Sequence, residues 1–202
     1  MKLAMVAMIA VAGLGSSGCT PDWATDNETP FILEIADITN AQGELPILAD
    51  VSFPVVNDEA LVSINVFRKN NNPDLSTSPV EHVYLKRYEV RYFRTDGHSV
   101  EGVDVPHRIT GALNSIRLHT PTDTGEIEVE AVITAVRQQA KLEPPLLNLR
   151  GGNVSTTGNF LLPGQAIITT VAEITVYARQ ITTGEPLSAT GRFQVTFADF
   201  GD

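Results

Sequence analysis

Three stretches of this chain alternate apolar and polar residues with a period of two, and that pattern narrows the fold more than any other feature. In 127–135, Ile127, Val129, Ala131, Ile133 and Ala135 fall on one side and Glu128 and Glu130 on the other. In 172–179, Ala172, Ile174, Val176 and Ala178 oppose Glu173, Thr175, Tyr177 and Arg179. In 190–198, Phe193, Val195 and Phe197 alternate with Arg192, Gln194 and Thr196. Successive side chains of a strand point to opposite faces, so this spacing predicts half-buried strands. The last two are separated by Thr182-Thr183-Gly184-Glu185-Pro186, which predicts a hairpin turn. Weaker strand patterns cover 31–39, 45–55, 61–69, 83–94 and 109–119. Within 83–94, Tyr88, Val90 and Tyr92 share one side and are read as core, exposed sugar-stacking aromatics being the alternative. Helical periodicity is confined to one or two turns within 136–142, ended by Pro144-Pro145. About eight strands with Gly, Pro and Asn turns predict an all-β fold, an immunoglobulin-like β-sandwich with long loops. The Cys–Trp–Cys signature of antibody-type domains is absent from the sequence.

The first residues have a different character. Met1-Lys2 precedes an apolar run from Leu3 to Leu14, and small residues lead to Cys19, the only cysteine. A positive start, a short apolar core and a small-residue exit predict a secretory signal over 1–18. A membrane-spanning helix needs roughly 20 apolar residues, more than this run supplies. The segment Ser16-Ser17-Gly18-Cys19 resembles the lipobox of bacterial lipoproteins, with Ser16 standing where Leu is usual. That resemblance implies cleavage before Cys19 and attachment of diacylglycerol to its sulfur, with palmitate or a similar acyl group on its amine. An ordinary signal peptide with an incidental thiol is the alternative. Thr20 follows the cysteine; Asp there commonly marks inner-membrane retention in Gram-negative lipoproteins, so the resemblance implies the outer membrane. Residues 20–30 are polar with two prolines, so that 19–30, the lipidated cysteine and a flexible tether, are expected to lead to a domain at 31–202. Trp23 in this tether either rests at the membrane interface or packs on the domain. A GxGxxG match at 13–18 lies inside the removed segment and lacks the strand and helix that dinucleotide binding requires.

The formal net charge of −10 excludes nucleic acid as a natural partner and is compatible with divalent cations or a basic protein, solubility being the plainer reading. With Cys19 taken by lipid, no disulfide is expected in an oxidising compartment.

Three long loops interrupt the strands, at 69–80, 95–108 and 143–165. The last carries Leu146, Leu147, Leu149, Phe160, Leu161 and Leu162, which are expected to cap an open end of the sandwich rather than form an exposed patch. In 95–108, Asp96, Glu101 and Asp104 are the candidate metal ligands, for calcium. Their spacing departs from the EF-hand pattern, and the competing expectation is an Asp-Gly turn with the acids solvated or paired to Arg94 and Arg108. The histidines at 82, 98, 107 and 119 lack zinc-site spacing, and no GxSxG, Ser-x-x-Lys or P-loop occurs. No catalytic residue is assigned. The segments 94–106 and 137–146 are similar to stretches of uncharacterised exported bacterial proteins, a resemblance that implies no activity.

The expected function is therefore that of a membrane-anchored envelope lipoprotein, non-enzymatic, serving as a structural or protein-binding module. Its partners would be the bilayer, through Cys19, and another envelope protein. An adhesion or carbohydrate-binding module, calcium-dependent or not, is the alternative, and a hydrolase built from distant loops is the third reading.

Overall fold

The computed structural model describes residues 31–52, 54–68, 82–113, 117–118, 129–150 and 167–200, and the side chains of 68, 117, 118 and 129 are left aside. Cys19, Trp23, His119, Ile127, Glu128, loop 69–80 and the Phe160-Leu161-Leu162 cluster lie outside the described residues. Nine strands occur among them: β1 (Phe31–Thr39), β2 (Ile47–Asp50), β3 (Asp58–Arg68), β4 (Val83–Phe93), β5 (Ile109–Ala112), β6 (Arg117–Leu118), β7 (Val129–Val136), β8 (Ile167–Gln180) and β9 (Pro186–Ala198). One helical turn, α1 (Gln138–Lys141), and a 3-10 turn at Leu146–Leu149 follow β7.

The strands form the expected two-sheet sandwich. One sheet has the order β1-β3-β7; the other runs β2-β9-β8-β4-β5, with β6 added beside β4. All pairings are antiparallel except β2 with β9. The alternation read from sequence carries over directly. Ala131, Ile133 and Ala135 of β7, Ala172, Ile174, Val176 and Ala178 of β8, and Phe193, Val195 and Phe197 of β9 all lie in the core. The β8–β9 hairpin pairs from Ile167↔Ala198 to Arg179↔Pro186.

Two sequence readings shift in detail. The single pattern at 109–119 is two short strands, β5 and β6, both paired to β4. The pattern within β4 changes phase: Val83 and Leu85 are buried, then Tyr88, Val90 and Tyr92. A register shift between Leu85 and Arg87 inserts one residue, Lys86, and moves the inward set by one. β1 has a similar shift between Ile35 and Asp37.

The two tyrosines on the inner face of β4 tie the sheets together. Thr134 of β7 donates its backbone N–H to Tyr88 Oη at 3.1 Å, and the Tyr92 hydroxyl donates to the Ala135 carbonyl. A register shift in β7 beside Asp58 skips Ala135 in the ladder with β3. The Tyr92 ring meets Phe197 edge-on, with centroids 6.0 Å apart. Tyr88 lies directly over Gly111 of β5, where any Cβ would overlap its ring. The glycine is thus the clearance that lets this phenol cross β5 and meet β7.

The segment 137–150 closes one end of the sandwich. Leu146 is fully buried and Leu149 nearly so, which agrees with the capping expected for this part of the third loop. Arg150 donates from Nε to the Val51 carbonyl at 2.9 Å, and Asn57 Oδ1 accepts the Gln138 N–H at 2.7 Å. Val136, expected to open the helical stretch, instead ends β7.

Candidate functional site

The proposed calcium ligands are not brought together. Asp96 forms an ion pair with Arg94, and its Oδ1 accepts the His98 N–H at 3.1 Å. These hydrogen bonds, that from Arg94 first, hold its carboxyl below the usual carboxylate range. Glu101 pairs with Arg108 at 3.0 Å. Burial opposes its ionisation, but the Arg108 contacts outweigh that and lower its pKa. Asp104 is turned back on its own loop, with Oδ2 accepting the Val100 N–H at 3.1 Å. Gly102 has a φ of +77°, and a Cβ there would overlap the His107 ring. Each carboxylate therefore has a separate partner, an arginine for Asp96 and Glu101 and a backbone N–H of its own loop for Asp104. Among the described residues no cluster of three His, Cys, Asp or Glu side chains is placed to hold a metal ion.

A shallow cleft of about 120 Å³ lies between β5 and α1, lined by residues that include His107, Arg108, Arg137 and Glu143. Small-molecule sites are usually several hundred Å³. Its lining holds no serine, threonine or cysteine to act as a nucleophile.

Under the closing segment sits a buried charge. Lys141 Nζ lies 2.8 Å from Asp58 Oδ2, and the two side chains are 1% and 16% exposed. Burial raises the pKa of Asp58, against the opposing effect of Lys141. Asp50 nearby is pulled down instead: burial opposes, but bonds from Ser52 and the Phe200 N–H prevail. The Lys141–Asp58 pair fastens 137–150 to the start of β3.

The remaining candidate surfaces are the two outer faces of the sandwich, and they differ sharply in charge. On the six-stranded sheet, the outward positions carry Arg87, Arg91, Arg179 and Arg192, all exposed. Glu89 and Glu173 lie among them, and both are engaged: Arg108 holds Glu89 at 3.3 Å and Arg192 holds Glu173 at 2.7 Å. Among the described residues, Arg87, Arg91 and Arg179 make no ion pair within 4.0 Å. The Arg87 guanidinium lies 3.8 Å above the centre of the Tyr177 ring, and Arg91 lies 5.6 Å from that of Phe93. Tyr177 and Tyr84 are half-buried on this face, while Tyr88 and Tyr92 are core, as read from the alternation.

No protein-family model matches this chain, and no curated protein matches its sequence.

The outer face of the three-stranded sheet is the counterpart. Cross-strand register aligns Glu34 with Asn65, Asp37 with Ser63 and Glu130, and Glu59 with Thr134. Those four carboxylates are exposed, and no lysine or arginine side chain stands on this face among the described residues. Ile32 and Val132 are 47% and 56% exposed beside them. Sequence reading identified Glu130, Arg179 and Arg192 as outward residues but gave them no role. The signal was available in the polar half of each alternating strand. It becomes a surface only when strand order shows which polar halves are neighbours.

Proposed function

We propose that this protein is a lipid-anchored, non-enzymatic module of a bacterial cell envelope that binds another envelope protein through the arginine-rich outer face of its larger sheet. The observation that carries this reading is the concentration of Arg87, Arg91, Arg179 and Arg192 on one open sheet face of a chain whose net charge is −10. Maintaining a basic face against that background is an arrangement suited to an acidic partner, because complementary potentials steer and orient association. Arg87 is held over the Tyr177 ring, which limits the side-chain freedom lost on binding.

The remainder of the reading is its address. Lipid on Cys19, a tether over 20–30 and the sandwich beyond would hold this face clear of an outer-membrane surface. We also read the sandwich as immunoglobulin-like. β1, β3 and β7 occupy one sheet, β4, β8 and β9 the other, and β2 pairs in parallel with the last strand. Carbohydrate binding is the second reading, favoured by Tyr84, Tyr177 and the 36%-exposed Phe93 on the same face.

Two experiments test this. Cys19→Ala is expected to release the protein from the membrane fraction; undiminished membrane retention would end the lipid-anchor part. Cross-linking in the native envelope is expected to trap a protein partner that Arg87→Gln/Arg179→Gln loses. An unchanged cross-link pattern rejects the arginine face, and glycan-array signal abolished by the same variant would favour the carbohydrate reading instead.

A further inference from the structure

We propose that the acidic partner is a second copy of this chain: the carboxylate face of the three-stranded sheet docks on the arginine face of the six-stranded sheet of the next molecule. This inference rests on the reading of the arginine face as a protein-binding surface and names what binds there. The two faces lie on opposite sides of one sandwich, so the contact is heterologous. A contact of that type repeats from copy to copy and builds an open row unless the rotation closes a ring.

The complementarity extends beyond net charge. Glu34, Asp37, Glu59 and Glu130 stand on one face, and Arg87, Arg91, Arg179 and Arg192 on the other. Each face also exposes apolar surface between its charges, Ile32 and Val132 on the first and Phe93 on the second. Like faces would set carboxylate against carboxylate or guanidinium against guanidinium, which disfavours the two-fold alternative.

Size sets the expected strength. The three-stranded face is as long as β3, whose 11 residues reach about 36 Å at the usual rise. Three strands at the usual spacing make it about 14 Å wide, giving at most roughly 500 Å², less where Ser63 and Asn65 at its centre are already buried. A standard stable interface uses about 800 Å² per partner. Contact through this face is accordingly weak in dilute solution and salt-sensitive. Confinement to a membrane raises the effective concentration at which such weak contacts form.

The test is sedimentation velocity on the full chain carrying Cys19→Ser, over a concentration series at low and high salt. One variant neutralises the basic face (Arg87→Gln/Arg91→Gln/Arg179→Gln). The other neutralises the acidic face (Glu34→Gln/Asp37→Asn/Glu130→Gln). All substitutions are at exposed positions, and unchanged circular dichroism and melting confirm folding. The parent is expected to grow past dimer with concentration and to dissociate in high salt. Each variant alone should associate about tenfold more weakly or less still, since three screened ion pairs each contribute a few-fold. Mixed, the two variants retain one native face each and should form a 1:1 dimer that grows no further. Association through the N-terminal apolar segment would persist in both variants alone and would overturn the proposal. So would a parent that stays monomeric throughout, or a mixture that does not pair. If the parent is monomeric while Arg87→Gln/Arg179→Gln still abolishes cross-linking to a different envelope protein, self-association falls and the binding-module reading stands.

Discussion

Replacing Lys141 by Met removes an ammonium that is almost completely shielded from water while keeping most of its aliphatic stem in place. The partner left behind is Asp58, 2.8 Å away and 16% exposed in its side chain. Removing one member of a buried pair typically costs 3–5 kcal/mol, because the remaining charge is desolvated without compensation. Asp58 keeps some access to water, so the lower end applies, about 3 kcal/mol at neutral pH. For a domain of this size each kcal/mol moves the melting temperature by about 2–4 °C, so the expected fall is about 6–12 °C. Acid should close the gap. Burial already lifts Asp58 above the ordinary carboxylate value of 3.8, and Lys141 is one of the influences holding it down. A raised folded-state pKa means the native protein holds that proton more tightly than the unfolded chain. The resulting stabilisation is fully present below pH 3.8 and is lost as pH rises through the folded value. Without Lys141 that window extends upward, so the variant regains stability relative to wild type as pH falls. Thermal and urea unfolding followed by circular dichroism between neutral and acid pH would measure this. A deficit under about 1 kcal/mol, the range of exposed pairs, or one unchanged by pH, would mean that Lys141 and Asp58 do not act as a buried pair.

Further consequences follow from the same geometry. Tyr88→Phe and Tyr92→Phe should each lower stability by about 1–3 kcal/mol, because each strands one backbone group of β7 inside the sandwich; urea midpoints with unchanged slope would show it. Gly111→Ala forces a methyl into the Tyr88 ring and should cost about 1–3 kcal/mol by overpacking, most of which Gly111→Ala in a Tyr88→Ala background should not show. Leu146→Ala should cost about 2–5 kcal/mol if 137–150 is part of the core rather than a loose cover, and protease sensitivity at that segment should rise with it. Calcium and chelator should leave the melting temperature unchanged, since Arg94 and Arg108 already hold Asp96 and Glu101; a rise with calcium would show a site that binds only the folded protein.

The legible part of this fold was the part written in nearest-neighbour alternation. Phe193, Val195 and Phe197 declare their burial by spacing alone, and Tyr88, Val90 and Tyr92 do the same over a shorter run. Lys141 gave no such signal. Its sequence surroundings, within 136–142, read only as one or two helical turns, yet it is buried against Asp58, more than eighty positions earlier in the chain at the start of β3. Gly111 likewise carried no signal within the strand pattern at 109–119; its role shows only where the ring of Tyr88 lies over it. The acids of 95–108 were legible as a group but not as ligands. Whether carboxylates converge on an ion or turn to arginines depends on loop geometry that spacing does not contain.

The amino-acid order alone was enough to give an all-β domain, the inward side of β7, β8, β9 and part of β4, and the position of the last hairpin turn, because a period of two is a local property of each strand. Only the tertiary structure decided which strands are neighbours, and so which outward residues form a surface together. Arg91 and Arg192 lie about a hundred residues apart and share a row only because Glu173 of β8 pairs between them. Surface charge is a sum over neighbours in space, and it is the strand order that makes one side of this sandwich acidic and the other basic.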